Sequence, residues 1–150
     1  MLKGERIQGL NIRPPLVVAP QASVQQAIEQ MERIRIGCCV VEERGKPVGI
    51  FTERDVLTRV MDPAIGLETP VEKVMTPKPK CLKATDSIAA AVRLMNQGNY
   101  RHVPIVDGTG KVQGVLTVKG LLSYLAEHFP YEIYNLPPDP RQVQKSPEGA

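Results

Sequence analysis

The stretch VAPQASV, residues 18–24, returns 64 positions later as LKATDSI, residues 82–88. Both stretches lead into apolar residues at positions i, i+3, i+4 and i+7, the spacing of a helix with one buried face. These residues are Val24, Ala27, Ile28 and Met31 in the first copy, and Ile88, Ala91, Val92 and Met95 in the second. One amphipathic helix is therefore predicted twice in the chain.

The starts of both helices carry capping residues. Ser23 is followed three residues later by Gln26, which is the spacing of a capping box, and Thr85, Asp86 and Ser87 offer several side-chain oxygen acceptors before the second helix. Each helix is thus expected to begin where the repeated stretch ends.

Two β-hairpins follow the helices. The run Cys38–Val41 aligns with Val103–Val106 at an offset of 65, which predicts one extra residue between helix and strand in the second copy. Each run reaches a Gly-containing turn and resumes as a second apolar run, and a further helical pattern comes after it. The fold class predicted is α+β, with two pseudo-symmetric β-α-β-β-α repeats packed into one module.

The predicted organisation divides the chain into three parts. Residues 1–66 form the first repeat with its N-terminal segment, and residues 67–129 form the second repeat. A short helix is expected from Pro70 to Met75, with Thr69 as its cap. Residues 130–150 form a proline-rich extension that we expect to be partly disordered. Residues 129–134 hold aromatic side chains that could dock on the module, which is the favoured alternative, or on a partner.

Composition excludes several classes of protein. The chain of 150 residues is 42% hydrophobic and 23% charged, with a net charge of +3. No apolar run is long enough for a membrane helix or a signal peptide, and the basic residues are dispersed, so we expect neither membrane nor nucleic-acid binding. The three cysteines make an odd count. A cytoplasmic location is the expectation.

Three motifs carry a resemblance to a known family. They are GIFTERD at residues 49–55, VMTP at residues 74–77 and VPIVD at residues 103–107. With the repeat, they resemble CBS domains, which occur in tandem as the Bateman module, and the likeness covers about residues 10–128. It implies a stand-alone regulatory module, not an enzyme, that binds AMP, ADP, ATP or S-adenosylmethionine in a cleft between the repeats. It also implies a homodimer, with no required cofactor.

Thr52 and Asp55 are the residues best suited to hold such a ligand. A ribose presents two neighbouring hydroxyl donors, and an ionised carboxylate accepts both, while a threonine hydroxyl can donate to another oxygen. Both residue types also cap helices, and this purely structural role is the alternative. The second copy keeps Thr117 but has Gly120 where the first has Asp55, so one competent site is predicted.

The resemblance implies further site residues by position. The site centred on Asp55 is expected to draw on the second copy and on Arg54, whereas the other cleft is expected to be weak, empty or differently used. The predicted ligand-binding residues are Thr52, Arg54, Asp55, Cys81, Leu82, Arg101, His102, Pro104 and Lys119, and those of the weaker cleft are Val18, Cys39 and Thr117.

Other chemistry finds little support in the residue pattern. His102 and His128 are far apart in sequence and have no ligand pattern around them, so no metal site is predicted. Cys38 and Cys39 lie in an apolar strand, where burial would make their thiols inert. Two alternatives remain open: an adaptor that binds an effector protein without nucleotide, and single-stranded nucleic-acid binding, which the scarcity of aromatic residues disfavours.

Overall fold

The structure is a computed structural model that describes residues 4–128. The aromatic segment at residues 129–134 and the predicted extension at residues 130–150 lie outside the described residues. The first repeat contains β1 (Val17–Val18), α1 (Val24–Ile34), β2 (Cys38–Glu43), β3 (Lys46–Thr52) and α2 (Glu53–Asp55). The second contains β4 (Thr76–Pro77), β5 (Leu82–Lys83), α3 (Ile88–Gly98), β6 (His102–Val106), β7 (Val112–Thr117) and α4 (Val118–His128).

The strands form two small sheets, one for each repeat. The first has the order β1-β2-β3-β4 and the second the order β5-β6-β7. In each sheet the short first strand runs parallel to its neighbour, and the hairpin strands are antiparallel. The predicted α+β fold of two β-α-β-β-α repeats is confirmed.

The helices begin as their capping residues predict. Ser23 Oγ accepts a hydrogen bond from Gln26 N at 3.1 Å, and the Gln26 side chain accepts one from Ser23 N at 3.0 Å. Ser87 Oγ caps α3 by accepting from Ala90 N at 3.0 Å. The buried faces of α1 and α3 then pack on the two sheets through Val24, Ala27 and Met31, and through Ile88, Ala91 and Met95.

Each sheet is extended by the segment that precedes the opposite repeat. Strand β4 leads into the second repeat but pairs with β3 of the first, where Thr76 lies opposite Ile50. The N-terminal segment makes the reciprocal crossing, because Val115 N of β7 donates to the Arg13 carbonyl at 3.2 Å. The segment that precedes the first repeat in sequence therefore packs on the second, and Ile7 is fully buried there.

The strand register corrects the predicted position of the extra residue. Cys38 pairs with Thr52, and His102 pairs with Thr117, so β2 and β6 are related by an offset of 64, as the helices are. The extra residue lies in the turn between β6 and β7, and its predicted place between helix and strand was wrong. Neighbouring positions in a buried strand are all apolar, so the sequences of β2 and β6 align equally well when one is shifted by one position.

The helix predicted after Thr69 is shorter than expected and has no side-chain cap. A single 3₁₀ turn spans Val71–Lys73, and Pro70 precedes it. The backbone here bonds to the start of α1 instead, since Val71 N donates to the Ala22 carbonyl at 2.8 Å and the Thr69 carbonyl accepts from Val24 N at 2.9 Å. These tertiary bonds outcompete the local cap.

The N-terminal segment and the segment that enters β4 each pass close to a glycine of the opposite sheet, in β7 and in β3. A Cβ atom at Gly114 would contact the Ile12 side chain and lie 2.8 Å from the Arg13 carbonyl oxygen. A Cβ atom at Gly49, the equivalent position, would overlap the Met75 side chain. The two glycines thus allow each crossing segment to lie against the opposite sheet.

We predict that Gly114→Ala destabilises the fold by about 1–3 kcal/mol, because the new methyl group forces the backbone at Arg13 to move. Urea unfolding followed by circular dichroism measures the loss. Gly108→Ala is the matched control, since a Cβ atom there meets nothing within 4 Å. Equal stability of the two variants would contradict a tight crossing at Gly114.

Candidate functional site

Two cavities lie where the repeats meet. The first has a volume of about 610 Å³ and is bounded by the end of β3, by α2 and by residues 76–80 and 98–102. The second has a volume of about 650 Å³ and is bounded by the end of β7, by the start of α4 and by segments from the first repeat. Each cavity therefore combines the strand-to-helix turn of one repeat with segments that precede strands of the other.

Asp55 and Thr52 lie at the first cavity in a closed set of hydrogen bonds. Asp55 Oδ2 accepts from Thr52 N at 2.9 Å and from Thr52 Oγ1 at 3.2 Å, while Asp55 N donates to Thr52 Oγ1 at 3.3 Å. Asp55 is only 7% exposed. The pair does cap α2, so the structural alternative is met, and Asp55 Oδ1 remains as an acceptor beside the cavity.

Arg59 fixes the other side of this carboxylate. Its Nε lies 3.7 Å from Asp55 Oδ1, and its Nη1 donates to the carbonyl oxygens of Val74 and Met75 at 3.0 and 2.9 Å. It projects from a wide helical turn, Val56–Val60, which follows α2 directly. Arg59 thereby ties the helical turn to the segment that enters β4, and this tie closes one edge of the cavity.

Exposed cationic side chains surround the first cavity. Arg54 comes from α2, Arg101 from the end of the α3–β6 loop, and Lys78 and Lys80 from the segment after β4. Asp55 and Glu53 supply carboxylates to the same lining. Cationic side chains bind phosphate through charge-assisted hydrogen bonds, so the cavity suits an anionic ligand.

The second cavity differs from the first at its strand-to-helix turn. Thr117 Oγ1 accepts from Gly120 N at 2.9 Å, which repeats the cap without a carboxylate. Arg13, Arg35 and Lys119 also line it. Where the first cavity has a buried acidic acceptor, the second therefore has a glycine.

A common wall separates the two cavities. Gly37, Glu53 and His102 line both of them. Burial lowers the pKa of His102; Glu53 opposes this shift and Arg101 adds to it. The lowered pKa favours the neutral imidazole, and Glu53 is the acidic side chain among the described residues of this wall.

The structure brings together five of the nine residues expected at the Asp55 site: Thr52, Arg54, Asp55, Arg101 and His102. Lys119 lies at the second cavity beside Thr117. Among the described residues, the linings of the two cavities do not include Cys81, Leu82 or Pro104.

Two residues expected at the weaker cleft lie in the hydrophobic core instead. Val18 is 5% exposed and Cys39 is fully buried, and both pack in the core of the first repeat. Thr117 is the member of that predicted set that reaches the second cavity.

Lys78 and Lys80 line the first cavity but were not predicted there, although the sequence carries a signal for them. The run Pro77-Lys78-Pro79-Lys80 directly follows the VMTP motif and alternates prolines with cations. Lys78 adopts a left-handed backbone conformation with φ of 50°, and its amide donates to the Val48 carbonyl at 3.2 Å. Non-glycine residues with such dihedrals cluster at functional sites, where surrounding structure holds them.

Cys38 and Cys39 are buried thiols, as predicted, whereas Cys81 is half-buried. Burial raises the pKa of each of these two thiols to about 12. Burial also raises the pKa of Cys81, whose thiol lies 3.4 Å from the Pro79 carbonyl. Among residues 4–128 no cluster of His, Cys, Asp and Glu has the arrangement of a metal site, and no helix there is long and apolar enough to cross a membrane.

We predict that a disulfide reagent labels Cys81 alone in the folded protein, because thiolate formation and access are suppressed at Cys38 and Cys39. Absorbance of the released thiolate counts the modified residues. Denaturant should expose all three thiols, and Cys81→Ser should abolish the reaction of the folded form. Rapid labelling of Cys38 or Cys39 without denaturant would show that the strand is not buried.

Comparisons with known proteins agree on the family. The sequence profile described as "CBS domain" matches residues 7–62 and again residues 71–127. A CBS domain-containing protein of Arabidopsis thaliana is 35% identical over 103 residues, which are 68% of this chain and 18% of that protein. An uncharacterized 17.7 kDa protein of Acidianus ambivalens is 30% identical over 112 residues, which are 74% of this chain and 67% of that protein.

Solved structures support the same family assignment. An uncharacterized conserved protein from Pyrococcus horikoshii has a TM-score of 0.75 at 30% identity, and the match covers 83% of this chain and 94% of that one. A CBS domain protein from Pyrobaculum aerophilum, solved in complex with AMP, has a TM-score of 0.72 at 28% identity, with coverage of 81% and 98%.

Proposed function

The chain belongs to the CBS-domain family, and we propose that it is a regulatory module that binds an adenosine-containing ligand between its two repeats. The ligand class comprises AMP, ADP, ATP and S-adenosylmethionine. The module carries out no catalysis in this proposal and works in the cytoplasm, where its buried thiols stay reduced. Ligand occupancy changes the geometry of the module and so the activity of an effector protein.

One observation carries this proposal: a buried carboxylate at the first cavity keeps an oxygen that its helix cap does not use. Oδ2 of Asp55 is engaged by Thr52, whereas Oδ1 lies 3.7 Å from Arg59, beyond hydrogen-bond distance. An ionised carboxylate oxygen accepts more than one hydrogen bond, as vicinal ribose hydroxyls require. The cap supports the function because it holds the carboxylate in place before the ligand arrives.

The surroundings of Asp55 fit the rest of a nucleotide. Arg54 and Arg101 stand at the same cavity for phosphate, and the Tyr100 ring and the Ile50 side chain offer apolar surface for a base. The cavity volume of about 610 Å³ falls in the range of small-molecule sites. The AMP complex of the Pyrobaculum aerophilum relative supports an adenine nucleotide in a fold of this kind.

The second cavity lacks the acidic acceptor and is proposed to be weak for ribose. Gly120 has no side chain to bind a hydroxyl, although its Cβ position would lie 3.2 Å from Thr117 Oγ1. The first cavity is therefore the adenosyl site, and the two repeats differ in function while sharing a backbone.

We predict that Asp55→Asn weakens AMP binding by at least about tenfold, because a neutral amide loses a charge-assisted acceptor while keeping nearly the same shape. Isothermal titration with AMP, ADP, ATP and S-adenosylmethionine measures the affinities. Thermal unfolding of the variant shows whether the α2 cap survives. Unchanged affinity in a folded Asp55→Asn protein would remove Asp55 from the site.

The matched variant is Gly120→Asp in the other repeat. It restores the pattern of Thr52 and Asp55 beside Thr117, so a second binding event is expected in the same titration. A stoichiometry that stays at one ligand per chain in Gly120→Asp would mean that the missing carboxylate is not what limits the second cavity.

Homodimerisation is the second part of the proposal. Leu57 and Met61 follow α2 and are 72% and 69% exposed, and Leu122 on α4 is 61% exposed. The helical segment after β3 and helix α4 after β7 occupy equivalent places in the two repeats. One molecule therefore presents exposed apolar side chains from both repeats. Exposed apolar side chains at equivalent places of the two repeats favour an interface between proteins.

We expect sedimentation to give a dimer for the native chain and a monomer for Leu57→Glu combined with Leu122→Glu, because buried unpaired carboxylates destabilise an apolar interface. Leu67→Glu is the control, since Leu67 is 49% exposed but lies in the connector between the repeats. A monomeric native chain would contradict the dimer.

The same apolar side chains also favour the adaptor alternative, in which an effector protein binds this surface and no nucleotide is involved. The titration above separates the two functions. Loss of effector binding in the Leu57→Glu and Leu122→Glu variant, together with no heat from any adenosyl ligand, would identify the chain as an adaptor.

A further inference from the structure

The first cavity holds more positive charge than one phosphate requires. Among residues 4–128, five cationic side chains line it, Arg54, Arg59, Lys78, Lys80 and Arg101, against the two carboxylates of Glu53 and Asp55. Arg59 lies 3.7 Å from Asp55, so these two charges largely offset each other. Four cations then face the single carboxylate of Glu53.

These four cations have no carboxylate partner in the described part of the chain. Arg59 with Asp55 is the one ion pair within 4 Å among residues 4–128. Like charges gathered without counter-charges repel one another, and an anionic ligand relieves that repulsion. The surplus charge is therefore a property of the cavity that a multiply charged anion would neutralise.

Lys78 and Lys80 stand on a backbone that is held in place. Pro77 and Pro79 restrict the chain on both sides of Lys78, and the Lys78 amide bonds to the Val48 carbonyl at 3.2 Å. Strand β4 anchors the segment to β3 through Thr76 and Pro77. The backbone at Lys78 is thus held by these contacts, and Pro79 restricts the chain that leads to Lys80, which lowers the entropy cost of contacting a ligand.

From this charge and its placement we infer that the preferred ligand is a nucleoside di- or triphosphate, with the outer phosphates held by Lys78 and Lys80. The inference rests on the proposed function, because it assumes that a nucleotide ribose sits at Asp55. Arg54 and Arg101 supply charge at the same cavity for the inner phosphate. The sulfonium and ammonium groups of S-adenosylmethionine meet repulsion there.

The second cavity shows that the charge is local. It is lined by the cations Arg13, Arg35 and Lys119 and by the carboxylates Glu53 and Glu127. The chain as a whole carries a net charge of only +3. The excess at the first cavity is therefore a feature of that site and not of the protein surface in general.

Titration of the full chain with ATP, ADP, AMP and S-adenosylmethionine, at fixed ionic strength and without divalent cations, tests the inference. ATP is expected to bind at least about tenfold more tightly than AMP, because one charge-assisted hydrogen bond to a phosphate contributes about that factor. Lys78→Gln combined with Lys80→Gln should weaken ATP binding by about tenfold or more and leave AMP within about twofold.

Lys46→Gln is the control, because Lys46 is an exposed lysine at the β2–β3 turn and does not line the cavity. It should leave every affinity unchanged. AMP binding that equals or exceeds ATP binding, or an ATP affinity that survives the double lysine substitution, would overturn the polyphosphate preference. The proposed function would still stand if AMP binding then required Asp55. Binding of no adenosyl ligand at all would overturn both.

Discussion

The exchange of chain segments between the repeats is the interaction on which the rest of the molecule depends. Strand β4 pairs with β3, and Arg13 makes the reciprocal contact with Val115, so neither repeat is complete without chain from the other. The exchange is close at Gly114, where a Cβ atom would lie 2.8 Å from the Arg13 carbonyl oxygen, and at Gly49, where a Cβ atom would overlap the flexible Met75 side chain. It also creates the cavities, since each one lies where a crossing segment passes the strand-to-helix turn of the opposite repeat.

The turn from β3 to α2 combines a structural role with the binding role proposed for Asp55. Thr52 and Asp55 satisfy the backbone amides at the helix start, which otherwise lack partners. The same bonds hold the carboxylate at the cavity with one oxygen still available. Capping and ligand binding are therefore compatible at Asp55, and the cap preorganises the acceptor.

Much of the fold was predictable because it depends on local spacing. Ser23 and Ser87 cap their helices as their positions indicated. Three of the four apolar positions predicted in each of α1 and α3 are buried, whereas Val92 of α3 is 37% exposed. Predictions failed where tertiary hydrogen bonds prevailed. Thr69 pairs with the start of α1 instead of capping a helix, and the extra residue of the second repeat lies in a hairpin because strand register is set by backbone pairing.

The sequence by itself determined that one pattern occurs twice and that Asp55 has no acidic counterpart at Gly120, because both facts concern residue type at a repeated spacing. Only the tertiary structure decided which cations share a cavity with Asp55. Lys119 was expected beside Asp55 but lies at the second cavity. Lys78 lies at the first cavity because it belongs to the segment that crosses between the repeats. Charged residues that such a crossing brings together are distant in the chain. Their spacing along the sequence therefore does not predict that they share a cavity.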